Sequence, residues 1–198
     1  MQIIKDDIFK HVNEYEVVLI GTNTYCTLAQ GFQRDIMLHY PKVQEENMKT
    51  KYGDKKKLGT ILPCETEGIT FVLCFICEGN FRPDLKKEYL NVDALSKCLA
   101  LCNIRFSGKK IATTIMGSSR FDGNGNKERI LKLMESILTK CDVDVYDYHQ
   151  MSKDERKKAI REMELEVKAK DIKAYYKMVS QRKEKEKNIK NKNGHTRT

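Results

Sequence analysis

The chain has 198 residues, of which 40% are hydrophobic and 33% charged, with a formal net charge of +9. That length suits one domain of ordinary size with an appendage, and a domain of about 150 residues buries roughly 70% of its unfolded surface without disulfide or metal staples. No apolar run approaches the ~18 residues of a membrane span, and the opening MQIIKDD has no leader pattern, so the expectation is a soluble cytoplasmic protein without a membrane partner.

In chain order, apolar runs predict a strand at 2–5 and a second at 16–21, whose core is Val17 to Ile20. A polar loop of small residues, Gly21 to Gln30, leads to a helix over 28–39. That helix must stop before Pro41, because proline disfavours helical geometry in the residue ahead of it. Strand, small-residue loop and helix N-terminus present backbone N–H groups to a phosphate. Most such loops bind nothing, so the motif alone discriminates poorly.

A helix at 42–51 and strands at 58–63 and 68–77 follow. The helix predicted at 89–104 has an apolar face of Leu90, Val92, Leu95, Leu99 and Leu101 or Cys102. A strand at 109–116 runs into a second small-residue loop, Gly117 to Gly125. The next helix, 124–140, has an apolar stripe of Ile130, Leu131, Leu133, Met134, Ile137 and Leu138, with asparagines at its start for capping. A last strand is predicted at 142–148. Strands alternating with helices specify an α/β fold of three layers, a mostly parallel or mixed sheet between helices. Ligands of such sheets lie beyond the carboxyl ends of the strands, and both small-residue loops leave that edge.

The seven cysteines are odd in number and mostly lie in apolar runs, as reduced thiols do. Cys74 and Cys77 form a C-x-x-C, but on a strand residues three apart face opposite ways, and no histidine has metal spacing with them or with Cys98 and Cys102. The expectation is no metal and no cofactor.

Charge is uneven. Residues 151–198 hold 16 Lys/Arg against 8 Asp/Glu, whereas 1–150 hold 21 against 20. Ser152-Lys153-Asp154-Glu155 has the form of a capping box, and a narrow apolar stripe from Ile160 to Val179 predicts a charged helix over 151–180. The basic end, 181–198, has no apolar periodicity and reads as a disordered tail able to contact nucleic acid or an acidic partner.

Taken in order, MQIIKDDIF, VVLIGTN, LAQGF, LHYPKVQEENMKTKYGDKKKLGTILP, ATTIMGSSRFDG and VDVYDY resemble a macro domain. The likeness covers about 1–148 and is nearest the small stand-alone ADP-ribose 1''-phosphate phosphatases and terminal ADP-ribose protein glycohydrolases. It implies a macro-like domain over 1–150. By resemblance Asp7 accepts from the adenine amino group, Ile8 lines the adenine pocket, and Tyr146 is an aromatic beside adenine. Asn23 contacts the distal ribose. Gln30, Gly31 and Phe32 form the first phosphate loop, and Gly117, Ser118, Ser119, Arg120 and Phe121 the second. Asp7 also suits a helix N-cap, and Tyr146 an ordinary core position.

The likeness implies a binder of ADP-ribose or a derivative such as ADP-ribosylated protein. It extends to hydrolysis of ADP-ribose 1''-phosphate or protein-linked ADP-ribose, with Asn23 and Asp122 as the candidate catalytic residues. The alternative is a non-catalytic nucleotide-binding module whose basic tail contacts nucleic acid. The departures favour binding over chemistry. Ala29 replaces a glycine, Ile20-Gly21 stands where the phosphatases have a histidine, and no lysine follows the strand at 68–77 where the glycohydrolases have one. Asp122 matches the second-loop aspartate only with a shift of one residue.

Overall fold

A computed structural model describes residues 1–28, 31–79, 87–119 and 123–147. All lie within the compact unit Met1–Arg156. The charged helix expected over 151–180 and the tail at 181–198 lie outside the described residues.

The elements are β1 (Gln2–Ile4), β2 (Val17–Asn23), α1 (Gly31–His39), α2 (Pro41–Lys49), β3 (Ile61–Thr66), β4 (Ile69–Cys77), α3 (Val92–Arg105), β5 (Lys110–Thr114), α4 (Lys127–Ile137) and β6 (Asp142–Tyr146). Short 3₁₀ turns at Ile8–Lys10, Val12–Glu14 and Lys55–Lys57 complete them. The strands form one sheet in the order β1-β6-β5-β2-β4-β3. Every neighbouring pair is parallel except β3 with β4.

Position in the sheet follows from sequence. All seven residues of β2, VVLIGTN, are buried, as a central strand covered on both faces requires. β3 carries Pro63, which has no N–H to donate, and it sits at an edge. Val17, Leu19, Val72, Cys74 and Ile76 pack on one face with Leu95, Cys98, Leu99 and Cys102 of α3 and with Ile130 and Met134 of α4. The alternate residues Val18, Ile20, Phe71, Leu73 and Phe75 are also buried, on the face where the Tyr40 ring lies 4.4 Å from Phe71.

Helix boundaries are chemical. α1 ends at His39, and Pro41 opens α2 at the first-turn position where its missing N–H costs nothing. Asn91 caps α3 by accepting from Ala94 N at 2.9 Å, and Asn126 caps α4 by accepting from Arg129 N at 2.9 Å. The expected strands and helices over the described residues are therefore present, with ends shifted by a few residues. The C-x-x-C splits as strand geometry requires. Cys74 faces Cys98 and Cys102, while the Cys77 thiol donates to Thr22 O at 3.7 Å.

Candidate functional site

Five parallel strands end on one edge of the sheet. The segments leaving them carry Asp7 and Ile8 after β1, Tyr25 after β2, Gly79 after β4, Gly117 after β5 and Asp147 after β6. Asn23 and Tyr146 are the last residues of β2 and β6 on the same edge, and α1 begins at Gly31. Sheet topology thus gathers candidate residues from opposite ends of the sequence.

The β2–α1 connection is built around Asn23. Its amide donates to Thr27 O and Thr27 Oγ1, each at 3.0 Å, and its Oδ1 accepts from Tyr25 N at 3.0 Å. The side chain is therefore engaged in shaping its own loop. The Tyr25 ring lies 5.1 Å from that of Tyr52, edge to face, and a Cβ on Gly79 would come within 2.8 Å of Tyr25. Gly31 has φ +56, and among the described residues, its chain neighbours and its own helix's backbone aside, a Cβ there would meet no atom within 4 Å. The N-terminus of α1 thus begins at a glycine in the left-handed region. Gln33, two residues on, donates from Nε2 to the Gly21 carbonyl at 2.6 Å and ties the helix to the strand.

The β5–α4 loop is shaped by close approach. Gly117 has φ +81, and a Cβ there would lie 2.6 Å from Leu90 Cδ1. Gly123 would clash in the same way with the Gly117 carbonyl at 2.5 Å. That carbonyl accepts from Gly125 N at 2.9 Å, while Tyr89 N and Leu90 N both donate to Gly123 O. Leu90 therefore packs beneath the loop, which is clipped to the approach to α3. Ser118 Oγ donates to Ile115 O at 2.7 Å, and Ser119 O accepts from Asn124 N at 2.8 Å.

The β1–β2 connection is a charged lattice. Asp7 Oδ1 caps the first 3₁₀ turn by accepting from Phe9 N at 3.0 Å, and Ile8 is buried. The Phe9 ring stacks on His39 at 4.5 Å and lies 5.8 Å from Phe32, which links this segment to α1. Asp6 is held down to about 2 by the Asp7 N–H, then by His11 and Lys10. Both nitrogens of His11 face carboxylates, Glu14 at 2.8 Å and Asp6 at 3.1 Å, which raises its pKa. Tyr146 is buried: Tyr15 donates its proton to Asp144 Oδ2 at 2.8 Å, so Tyr146 donates to the Tyr15 oxygen, also at 2.8 Å. Burial, with the Asp144 carboxylate beside it, raises the pKa of Tyr15, and burial raises that of Tyr146.

Ala29, Gln30, Arg120, Phe121 and Asp122 lie outside the described residues. Sequence reasoning missed Gln33, Phe9 and Leu90. Gln33 gave no signal because a lone glutamine in a helix is ordinary. Leu90 fits the apolar face predicted at 89–104, but α3 begins at Val92, and only the crowding at three glycines reveals its place under the loop. Among the described residues, no cluster of three or more His, Cys, Asp or Glu has the geometry to hold a metal ion. No described helix is long and apolar enough to cross a membrane.

No family model and no curated protein matches the sequence. Solved structures do match the fold. A Bacteroides thetaiotaomicron protein aligns at TM-score 0.62 and 17% identity, covering 74% of this chain and 99% of that one. The macrodomain of Thermus aquaticus DarG aligns at TM-score 0.58 and 12% identity, covering 74% and 97%. Thermosipho africanus DarTG, solved in complex with ADP-ribose, aligns at TM-score 0.56 and 15% identity over 77% of this chain and 43% of that one. The six-stranded mixed sheet, with its order and flanking helices, is thus the fold of a macrodomain.

Proposed function

We propose that this chain binds ADP-ribose, or a derivative that keeps the adenine and the diphosphate, along the carboxyl edge of its sheet. The observation that carries the reading is the start of α1 at Gly31, whose φ is +56, set on the same sheet edge as the glycine-built β5–α4 loop. Backbone N–H groups suit a diphosphate because their dipoles are already oriented and add no bulk. Asp7, capping with one carboxylate oxygen, supplies an acceptor for the adenine amino group; guanine offers a carbonyl there and is disfavoured. The fold shared with a DarTG structure that holds ADP-ribose supports the same reading.

Binding is favoured over chemistry because the Asn23 side chain is engaged with Thr27 and Tyr25. Asp122 is the residue we nominate as general base if turnover occurs. Incubation with ADP-ribose 1''-phosphate and, separately, with an ADP-ribosylated protein tests this division. The expected outcome is binding with no release of phosphate or of ADP-ribose. Release that falls about 10²–10⁴-fold in Asp122→Ala would make the chain a hydrolase instead.

A further inference from the structure

Cys26 and Lys57 meet where the β2–α1 connection passes the Lys55–Lys57 turn. Lys57 Nζ lies 3.0 Å from Cys26 Sγ and 3.1 Å from Thr50 Oγ1, and the sulfur is itself 3.1 Å from that hydroxyl. Thr50 gives its proton to Asn47 O at 2.7 Å, so its oxygen can only accept, and it pins the amine and the sulfur side by side. Among the described residues Lys57 has no carboxylate partner; its remaining contact is the Phe75 ring, 4.9 Å away. Gln44 fixes the loop from the other side by donating to Cys26 O at 3.1 Å. A nitrogen nucleophile is thus held against a sulfur by groups from three separate segments.

We propose that a peroxide converts this pair into a covalent sulfur–nitrogen bridge. The Cys26 thiol attacks one peroxide oxygen, the O–O bond breaks, and sulfenic acid and water form. Lys57, after releasing a proton to solvent, attacks the sulfenic sulfur and the S–O bond breaks. The leaving hydroxide takes up a proton as a second water. Sulfur is oxidised by two electrons, and the peroxide is reduced to two waters. Sulfenic acids are known to condense with a neighbouring nitrogen. Effective molarities for well-oriented partners reach on the order of 10⁵ M, which favours this capture over competing thiols.

Three of the other six cysteines are differently placed. Burial pushes Cys64 up to about 11 and raises Cys141, and hydrogen bonds to Cys102 and Cys98 together with burial raise Cys74. Cys64 and Cys141 donate to oxygen acceptors, and among the described residues no amine is hydrogen-bonded to the sulfur of Cys64, Cys74 or Cys141. Cys26 is buried, but it sits in a connection, where local opening is cheap compared with the sheet.

The experiment treats the full chain with hydrogen peroxide and maps the products by peptide fragmentation. The expected product joins the Cys26 and Lys57 peptides, is lighter than the unlinked pair by two hydrogen atoms, and is released by a thiol reductant. Lys57→Arg keeps the cation but should lose the bridge, leaving a Cys26 sulfenic acid that a 1,3-dione traps. Melting curves check that the variant folds. Oxidised, folded wild-type protein in which Cys26 is unlinked, or joined to another cysteine, overturns the proposal, and that outcome does not depend on any variant.

Discussion

At the scale of single residues, the β1–β2 connection shows how few side chains hold a candidate binding segment. Asp7 is fixed between a capped turn and the charged lattice of Asp6, Lys10, His11 and Glu14. His11 has a raised pKa, so the stability it adds is complete below the ordinary imidazole value of 6.5 and is lost as pH rises through the raised value. Asp6 has a lowered pKa, so its contribution is complete above 3.8 and is lost as pH falls towards about 2. The lattice is strongest between those limits. Thermal melting of wild type and His11→Gln against pH checks this. The wild-type advantage should shrink as pH rises from about 5 to 8, and a flat difference across that range would remove His11 from the lattice.

At the scale of elements, the β5–α4 loop depends on glycine for a steric reason. Gly117 combines a left-handed φ of +81 with a neighbour, Leu90 Cδ1, only 2.6 Å from a Cβ. Gly117→Ala should therefore destabilise the fold by about 1–3 kcal/mol in denaturant unfolding, from backbone strain and overpacking together. A change within ~0.5 kcal/mol, the level of an ordinary surface substitution, would mean that the loop is not packed on Leu90. Much at this scale was legible in the sequence. The proline at 41, the asparagines at 91 and 126 and the apolar periods of β2, α3 and α4 each locate an element. The 3₁₀ turns were not, because three-residue elements have no period to detect.

At the scale of the whole molecule, the sheet order could not be read along the chain. β1 pairs with β6, and β2 lies between β5 and β4, so the candidate site is assembled from segments more than a hundred residues apart. The two small-residue loops leave the same edge because parallel strands send their connections there. The role of individual residues was less legible. Resemblance implies ligand contacts for Asn23 and Tyr146, and their local partners, Thr27 and Tyr15, become visible only once the chain is folded. The central claim is that this edge takes ADP-ribose, and calorimetric titration of the full chain with ADP-ribose tests it most directly. The account predicts saturable one-to-one binding that weakens roughly tenfold or more in Asp7→Ala, the loss expected for a hydrogen bond to a carboxylate. No detectable binding by folded protein at millimolar ADP-ribose, or an affinity unchanged in Asp7→Ala, would contradict it.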